Sequence, residues 1–375
     1  MSHLPSSTPM TALSIPGTHD SAAYTYSWPF IATQTMDITA QLNSGIRYFD
    51  LRCGLRSNVL EMVHGSAMLN LLLDEVLTAM YAWLSTHPSE ALIAQLKRDR
   101  KDESSTIHFA QAVTQAISSA PQFWRTANTT PMLGELRGRI QLFRRFDGGA
   151  SPGGSPPLFA YGLDVTRWQD NPSRPFTIHT AHGVQVTVQD HYSFPDALGL
   201  PSLIARKGGD VAELLDWAWQ QDQQQTPEAN DRWFINFTSA FEFNLYYQIT
   251  PREIAAGAYW AFRWEDGMNV RLRGYLATHA DEQQCVRSTG SHGGKKKKAP
   301  RRRYGIIAMD FPEAGAKDLV MAVVMANFER EGAKKRWHWR WLVVVLLFGL
   351  ALCLLLLNMM GNGVAFAWNR RQAES

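Results

Sequence analysis

Between residues 11 and 330, short apolar runs alternate with longer stretches of helical periodicity, and this alternation limits the fold more than any other feature. The runs are "TALSI", "IRYFDLR", "LEMVHG", "ALIAQLK", "RIQLFRRF", "VQVTVQD", "RWFINFT" and "YGIIAMDF". The spacing predicts helices over Leu69–Thr86, Ser104–Ser119, Asp210–Gln221, Pro251–Trp264 and Ala316–Arg330. Strands joined through helices imply a parallel sheet. A closed α/β barrel is favoured over an open doubly wound sheet because runs end on a polar residue: His19, Arg52, His64, Lys97, Arg145, Asp190 and Asp310. Such residues line the catalytic rim of a barrel.

The formal charge of +3, from 37 basic and 34 acidic residues, gives no global field for nucleic acid. Cys53, Cys285 and Cys353 are too far apart in sequence for a CxxC metal site or a disulfide framework. The start, "MSHLPSSTPMTALSIPG", lacks the basic and apolar regions of a secretory signal. At the other end, residues 341–360 form an uncharged run flanked by Trp337, Trp339 and Trp368. They are expected to span a membrane once. Lys334, Lys335, Arg336 and Arg340 before the run favour a cytoplasmic barrel over residues 1–330. Residues 331–340 then form a juxtamembrane segment and 361–375 a polar tail. A basic insertion at about 286–303 reads either as a contact for anionic lipid or as a solvated loop.

His19 and His64, with Arg52 between them in sequence, are residue types that can supply a base, an acid and a charge-stabilising group for phosphodiester cleavage, an arrangement that needs no metal. Either histidine alone would be a structural hydrogen bonder, and Arg52 could equally pair with Asp50. His179, His182 and His191 cluster in "HTAHGVQVTVQDH" without zinc spacing, so no metal is assigned to them. The aromatics of "YWAFRW" and "WAW" are expected to pack in the core.

"SIPGTHDS", "GIRYFDLRCG", "VHG", "HPSEALIAQLKRD", "RGRIQLFRRF", "VQDHY", "INFTSA" and "MDFPEAG" follow one another in the order seen in phosphatidylinositol-specific phospholipases C. The chain resembles the X-domain family in its bacterial form, also found in fungi, over roughly residues 11 to 330. That resemblance implies a distorted TIM-type (β/α) barrel of the PLC-like phosphodiesterase kind. It implies His19 as general base, His64 as general acid, Arg52 as phosphate ligand, Asp20 assisting the acid, and Asp310 orienting His19. Head-group binding would fall to Lys97, Asp190, Tyr192 and an arginine of "FRRF". Successive strand residues face opposite sides, so only one of Arg144 and Arg145 points inward, and Arg145 is favoured.

Calcium-dependent eukaryotic relatives carry Asn after the first catalytic His and a Glu-x-Asp pair on the second strand. Here those positions read Asp20 and Asp50-Leu51-Arg52, and an arginine repels the ion. The expected reaction therefore uses no cofactor, with phosphatidylinositol or a related lipid as substrate and membrane as partner. Two alternatives stand beside it: a metal-dependent glycerophosphodiester phosphodiesterase or sphingomyelinase D relative, and a tethered lipid-binding protein without turnover.

Overall fold

The computed structural model describes residues 1–149, 161–224, 231–243, 248–288 and 302–328. In chain order the strands are β1 (Ile15–Thr18), β2 (Tyr48–Arg56), β3 (Val59–His64), β4 (Ala67–Leu72), β5 (Leu92–Arg98), β6 (Trp124–Arg125), β7 (Ile140–Arg145) and β8 (Leu163–Asp164). They continue with β9 (Phe176–His179), β10 (Gln185–Gln189), β11 (Arg232–Phe237), β12 (Glu242–Phe243), β13 (Gln248–Ile249), β14 (Gly257–Trp260), β15 (Arg263–Asp266) and β16 (Ile306–Met309). Parallel pairing links β7, β5, β2, β1, β16, β11 and β10 in that order. The first and last of the apolar runs are thus neighbours, as in a TIM-type barrel. The ladder runs from β8 beside β7 to β9 antiparallel beside β10, and among the described residues no pairing joins those ends. Side chains bridge the flank instead, with Trp168 edge-on to Phe176 at 6.2 Å.

The pleat sorts the side chains into two layers. Ile15, Tyr48, Ile93, Phe143, Val186, Trp233 and Ile306 fill the interior. Their neighbours Phe49, Leu51, Leu92, Leu96, Leu142 and Ile307 face outward in the layer that includes helix residues such as Val76, Leu77, Leu203 and Leu272. Met10, Leu13, Leu133 and Leu136 belong to the interior cluster and occlude its N-terminal end. Gly17 faces inward, where an added Cβ would lie 2.7 Å from Tyr48 Cδ1, so glycine lets β1 approach β2 closely.

Several sequence expectations are corrected. "LEMVHG" is no barrel strand: β3 pairs antiparallel with β2 and β4, forming an excursion from the rim. In "TALSI", Met10–Ala12 is a 3-10 turn and the strand begins only at Ile15. The helix expected from Leu69 starts at Leu73, because Glu75 Oε2 accepts from Leu72 N at 2.7 Å and fixes the start. The helix expected from Asp210 runs over Gly199–Gln224. It passes through Gly208 and Gly209 because its buried stripe of Leu200, Leu203, Ile204, Val211 and Leu214 outweighs glycine's helix penalty. The helices expected over Ser104–Ser119 and Ala316–Arg330 are shorter, Phe109–Ser118 and Leu319–Met325.

The largest departure follows Pro251. Its helix, capped by Thr250 and Glu253, stops at Ala256, and Gly257 leaves it at φ +99° into the hairpin β14–β15. The aromatics of "YWAFRW" are therefore on a hairpin rather than in a helical core. Tyr259 is 76%, Phe262 105% and Trp264 51% exposed.

The expected membrane segment at 341–360, the flanking 331–340 and 361–375, and most of the 286–303 insertion lie outside the described residues. Among the described residues no helix is long and apolar enough to cross a membrane. Arg302 and Arg303, at the end of the insertion, are buried, stacked over Trp219 at 4.9 Å and Phe234 at 5.2 Å. For these two, the expected solvated or lipid-facing role is replaced by packing at the N-terminal end of β16, opposite the polar rim.

Candidate active site

The inward pleat positions reach the C-terminal rim as His19, Arg52, Lys97, Arg145, Asp190, Phe237 and Asp310. Register explains this directly, since Arg52 pairs with Lys97 and Lys97 with Arg145 across neighbouring strands. Arg144 faces the other way, and its guanidinium bonds Asp164 and Phe146 O.

After β1 the chain turns sharply. Asp20 adopts φ +41°, a left-handed conformation that aspartate tolerates better than most residues. Its carbonyl and that of His19 accept from Thr33 Oγ1 and Gln34 Nε2, and Ser21 N donates to Asp50 O at 2.9 Å. His19 Nδ1 lies 2.8 Å from Asp310 Oδ1. The carboxylate can only accept, so Nδ1 carries the proton and Nε2 faces the site. Burial would lower the basicity of His19, but the charges of Asp310 and Asp20 prevail and raise it above its ordinary value. His64 Nδ1 is 2.8 Å from the carbonyl of Ile31, which likewise turns its Nε2 to the site.

One oxygen ties these groups together. Asp20 Oδ2 lies 3.3 Å from His19 Nε2, 3.4 Å from His64 Nε2 and 3.0 Å from Arg52 Nη1. It is buried, yet none of these contacts has good hydrogen-bond alignment. The imidazole centroids are 6.4 Å apart and nearly perpendicular. Arg52 also donates through Nε and Nη2 to Asp50 Oδ2 at 3.2 and 3.0 Å. Although burial opposes ionisation, Arg52 followed by His19 holds the Asp50 carboxyl well below the usual carboxylate range. The expected pairing of Arg52 with Asp50 and its place in the site are thus the same arrangement.

His19, Asp20 and Asp50 offer ligand atoms within 4.8 Å of one another, the one such cluster found among the described residues. The donor set does not suit a cation. The guanidinium of Arg52 already spans the two carboxylates, so their charge is neutralised where an ion would need it. His191, from the sequence cluster without zinc spacing, is bound to Asp210 at 2.8 Å.

Around this centre, Lys97 Nζ contacts Asp99 at 2.5 Å, and Asp99 accepts from Gly65 N at 3.1 Å, fixing the turn after His64. Arg145 stacks over Trp168 at 4.0 Å and lies 3.8 Å from Asp190, whose Oδ2 accepts from Trp168 Nε1 at 2.8 Å. Tyr192 OH donates to Asp170 at 2.8 Å. Burial, with Asp170 beside it, pushes the phenol up to about 12.

Sequence reasoning missed Asp99, Trp168, Phe237, Asn269 and Lys207. Asn269 Nδ2 lies within 3.1 Å of the carbonyls of Asp310, Phe311 and Ala314, fixing the loop that carries Asp310. Nothing in its local sequence marks that role. Lys207 did leave a signal, a cation on the apolar stripe of its helix.

Comparison with known proteins agrees with the fold. Residues 7–146 match the family described as phosphatidylinositol-specific phospholipase C, X domain. A 1-phosphatidylinositol phosphodiesterase of Staphylococcus aureus (strain Newman) is 30% identical over 204 residues, covering 51% of this chain and 63% of that protein. The match thus spans less than two thirds of that relative. The protein of the same name from Listeria monocytogenes serovar 1/2a is 27% identical over 325 residues, covering 84% of this chain and 80% of its own. Among solved structures, a phosphatidylinositol-specific phospholipase C from S. aureus superposes with TM-score 0.63 at 23% identity, covering 87% of this chain and 96% of that one. The one from L. monocytogenes gives TM-score 0.58 at 23% identity, covering 88% and 97%. By its ordered motifs, its barrel and these matches, the chain is similar to phosphatidylinositol-specific phospholipases C, and the match to their X domain lies in residues 7–146.

Proposed function

We propose that this protein cleaves the phosphodiester of phosphatidylinositol to diacylglycerol and inositol 1,2-cyclic phosphate, using its own side chains alone. The observation that carries the reading is the convergence of His19 Nε2, His64 Nε2 and Arg52 Nη1 on Asp20 Oδ2. His19 Nε2 takes the proton of the inositol 2-hydroxyl as that oxygen attacks phosphorus. His64 Nε2 delivers a proton to the departing diacylglycerol oxygen. Arg52 stabilises the charge that gathers on the non-bridging oxygens, and Asp20 supports the protonated acid. Asp310 keeps the base in the required tautomer and supports its imidazolium once formed. The nucleophile belongs to the substrate, so positioning supplies much of the acceleration. Lys97, Arg145, Asp190 and Tyr192 supply charged and polar groups for the hydroxyls of the ring.

A lipid substrate requires contact with a bilayer, and the hairpin β14–β15 is suited to it. Its tip places Ala261 and Phe262 at φ +44° and +72°. Such turns ordinarily take asparagine and glycine, so a fully exposed phenylalanine there is costly in water. Arg252, before the hairpin, lies over Phe311, and Asn269, after it, holds the Asp310 loop, so the hairpin stands at the rim that carries the site. Residues 341–360 are read from sequence alone as an anchor with the barrel on the cytoplasmic side; the chemistry does not depend on it.

The test is direct. The full chain is given phosphatidylinositol in detergent micelles with EDTA, and the phosphorus resonance of a five-membered cyclic phosphate is followed. His19→Ala and His64→Ala each remove nearly all product; a near-normal rate in either refutes the roles. Loss of turnover in chelator favours a metal-dependent phosphodiesterase, and lipid binding without product favours a non-catalytic protein.

A further inference from the structure

The helix Gly199–Gln224 buries Leu200, Leu203, Ile204, Val211, Leu214, Leu215 and Ala218 on one face, and Lys207 occupies the same stripe with no exposed surface. An apolar side chain would continue the stripe, whereas burying an ammonium is expensive unless its protons are used. They are used on the two residues that flank Asp190. Nζ donates to Gln189 Oε1 at 3.0 Å on one side and to the backbone carbonyl of His191 at 2.6 Å on the other. Gln189 Oε1 also accepts from His191 N at 2.9 Å, and its Nε2 donates to Asn236 Oδ1 and Phe237 O, each at 3.1 Å. The backbone on both sides of Asp190 is thereby closed into one hydrogen-bonded clamp centred on the lysine.

We infer that Lys207 is a positioning residue for recognition of the inositol ring, acting through Asp190 from behind the strand without touching the substrate. The inference rests on the head-group reading of Asp190 given above. Asp190 leaves β10 at the rim, where Trp168 and Arg145 fix its carboxylate. The orientation of its peptide decides where that carboxylate points. Burial lowers the Lys207 ammonium to about 8, against the charges of Asp190, Asp210 and Asp310 that face it. His191, the remaining titratable group at the clamp, is engaged by Asp210. The clamp therefore loosens as pH rises through about 8.

The experiment titrates myo-inositol into the intact protein, with binding read by NMR shifts so that it does not depend on turnover. In the wild type, affinity falls as pH is raised from 7 to 9.5. Lys207→Met weakens binding roughly tenfold at neutral pH and abolishes the pH step. Asp190→Asn weakens binding, and the double variant binds no more weakly than Asp190→Asn alone, because both changes remove the same interaction. Additive losses, or a wild-type profile flat to pH 9.5, overturn the inference. If Lys207→Met does not fold, Gln189→Leu, which removes the acceptor shared by Lys207 Nζ and His191 N, takes its place beside Asp190→Asn in the same comparison. A chain that shows the coupling but releases no cyclic phosphate refutes the phospholipase reading and leaves the clamp standing.

Discussion

His19 and Asp310 are separated by 291 positions in sequence, yet their side chains meet at 2.8 Å. They meet because β1 and β16 are parallel neighbours whose register ends at Thr18 opposite Met309. The next residue of each strand then faces inward at the rim.

This pairing has a pH consequence. The base works only when neutral, and Asp310 raises the pH at which His19 loses its proton. Asp310→Asn removes that charge, so the acid limb of kcat/KM moves to lower pH while the plateau falls by about 100-fold as orientation is lost. A limb that stays in place or moves upward contradicts His19 as the base.

Arg52→Met leaves Asp50 buried without its partner. The expected cost is ~3–5 kcal/mol, read from chemical denaturation at neutral pH. Asp50 is held below its unfolded value, so the stability contributed by its ionised form is present above about pH 4 and lost as pH falls further. The wild-type advantage over the variant should therefore shrink in acid.

Arg52→Lys keeps one charge but cannot span Asp20 and Asp50 at once. Turnover should fall about 100-fold. Dialysis of the wild type against EDTA should leave its rate unchanged. Restoration of a chelated sample by calcium would reject the guanidinium as the phosphate ligand.

The hairpin is tested with Phe262→Ser and Trp264→Ser. Both side chains are more than half exposed, so folding is little affected. Sedimentation with phosphatidylinositol vesicles should weaken by roughly tenfold for the pair, as expected for apolar area withdrawn from a bilayer. Cleavage of a short-chain monomeric substrate should stay within about twofold. Unchanged vesicle binding would remove the hairpin from the interface.

Gly17→Ala probes the close approach of β1 to β2. The added methyl meets Tyr48 side-chain carbons at 2.7 and 2.9 Å, on the strand that delivers His19. A loss of ~1–3 kcal/mol in unfolding free energy is expected, with turnover reduced along with it.

The sequence was enough to show the alternation of apolar run and helix, the polar residue at the end of most barrel strands, and the ordered motifs that name the family. Those features are local: pleat period, turn chemistry and residue type determine them without reference to distant segments. Which histidine acts as base and which as acid, and the roles of Asp20 and Asp310, were legible only as expectations carried by resemblance. Their convergence on one aspartate oxygen depends on strand register, which no single run encodes. The placement of β3 as an excursion, the exposed aromatics of β14–β15 and the buried ammonium of Lys207 were decided by tertiary structure alone. In each, the same local pattern allows two environments. Packing against a neighbour far away in the chain selects between them, because the free energy of burying a face exceeds the small preferences written into the local sequence.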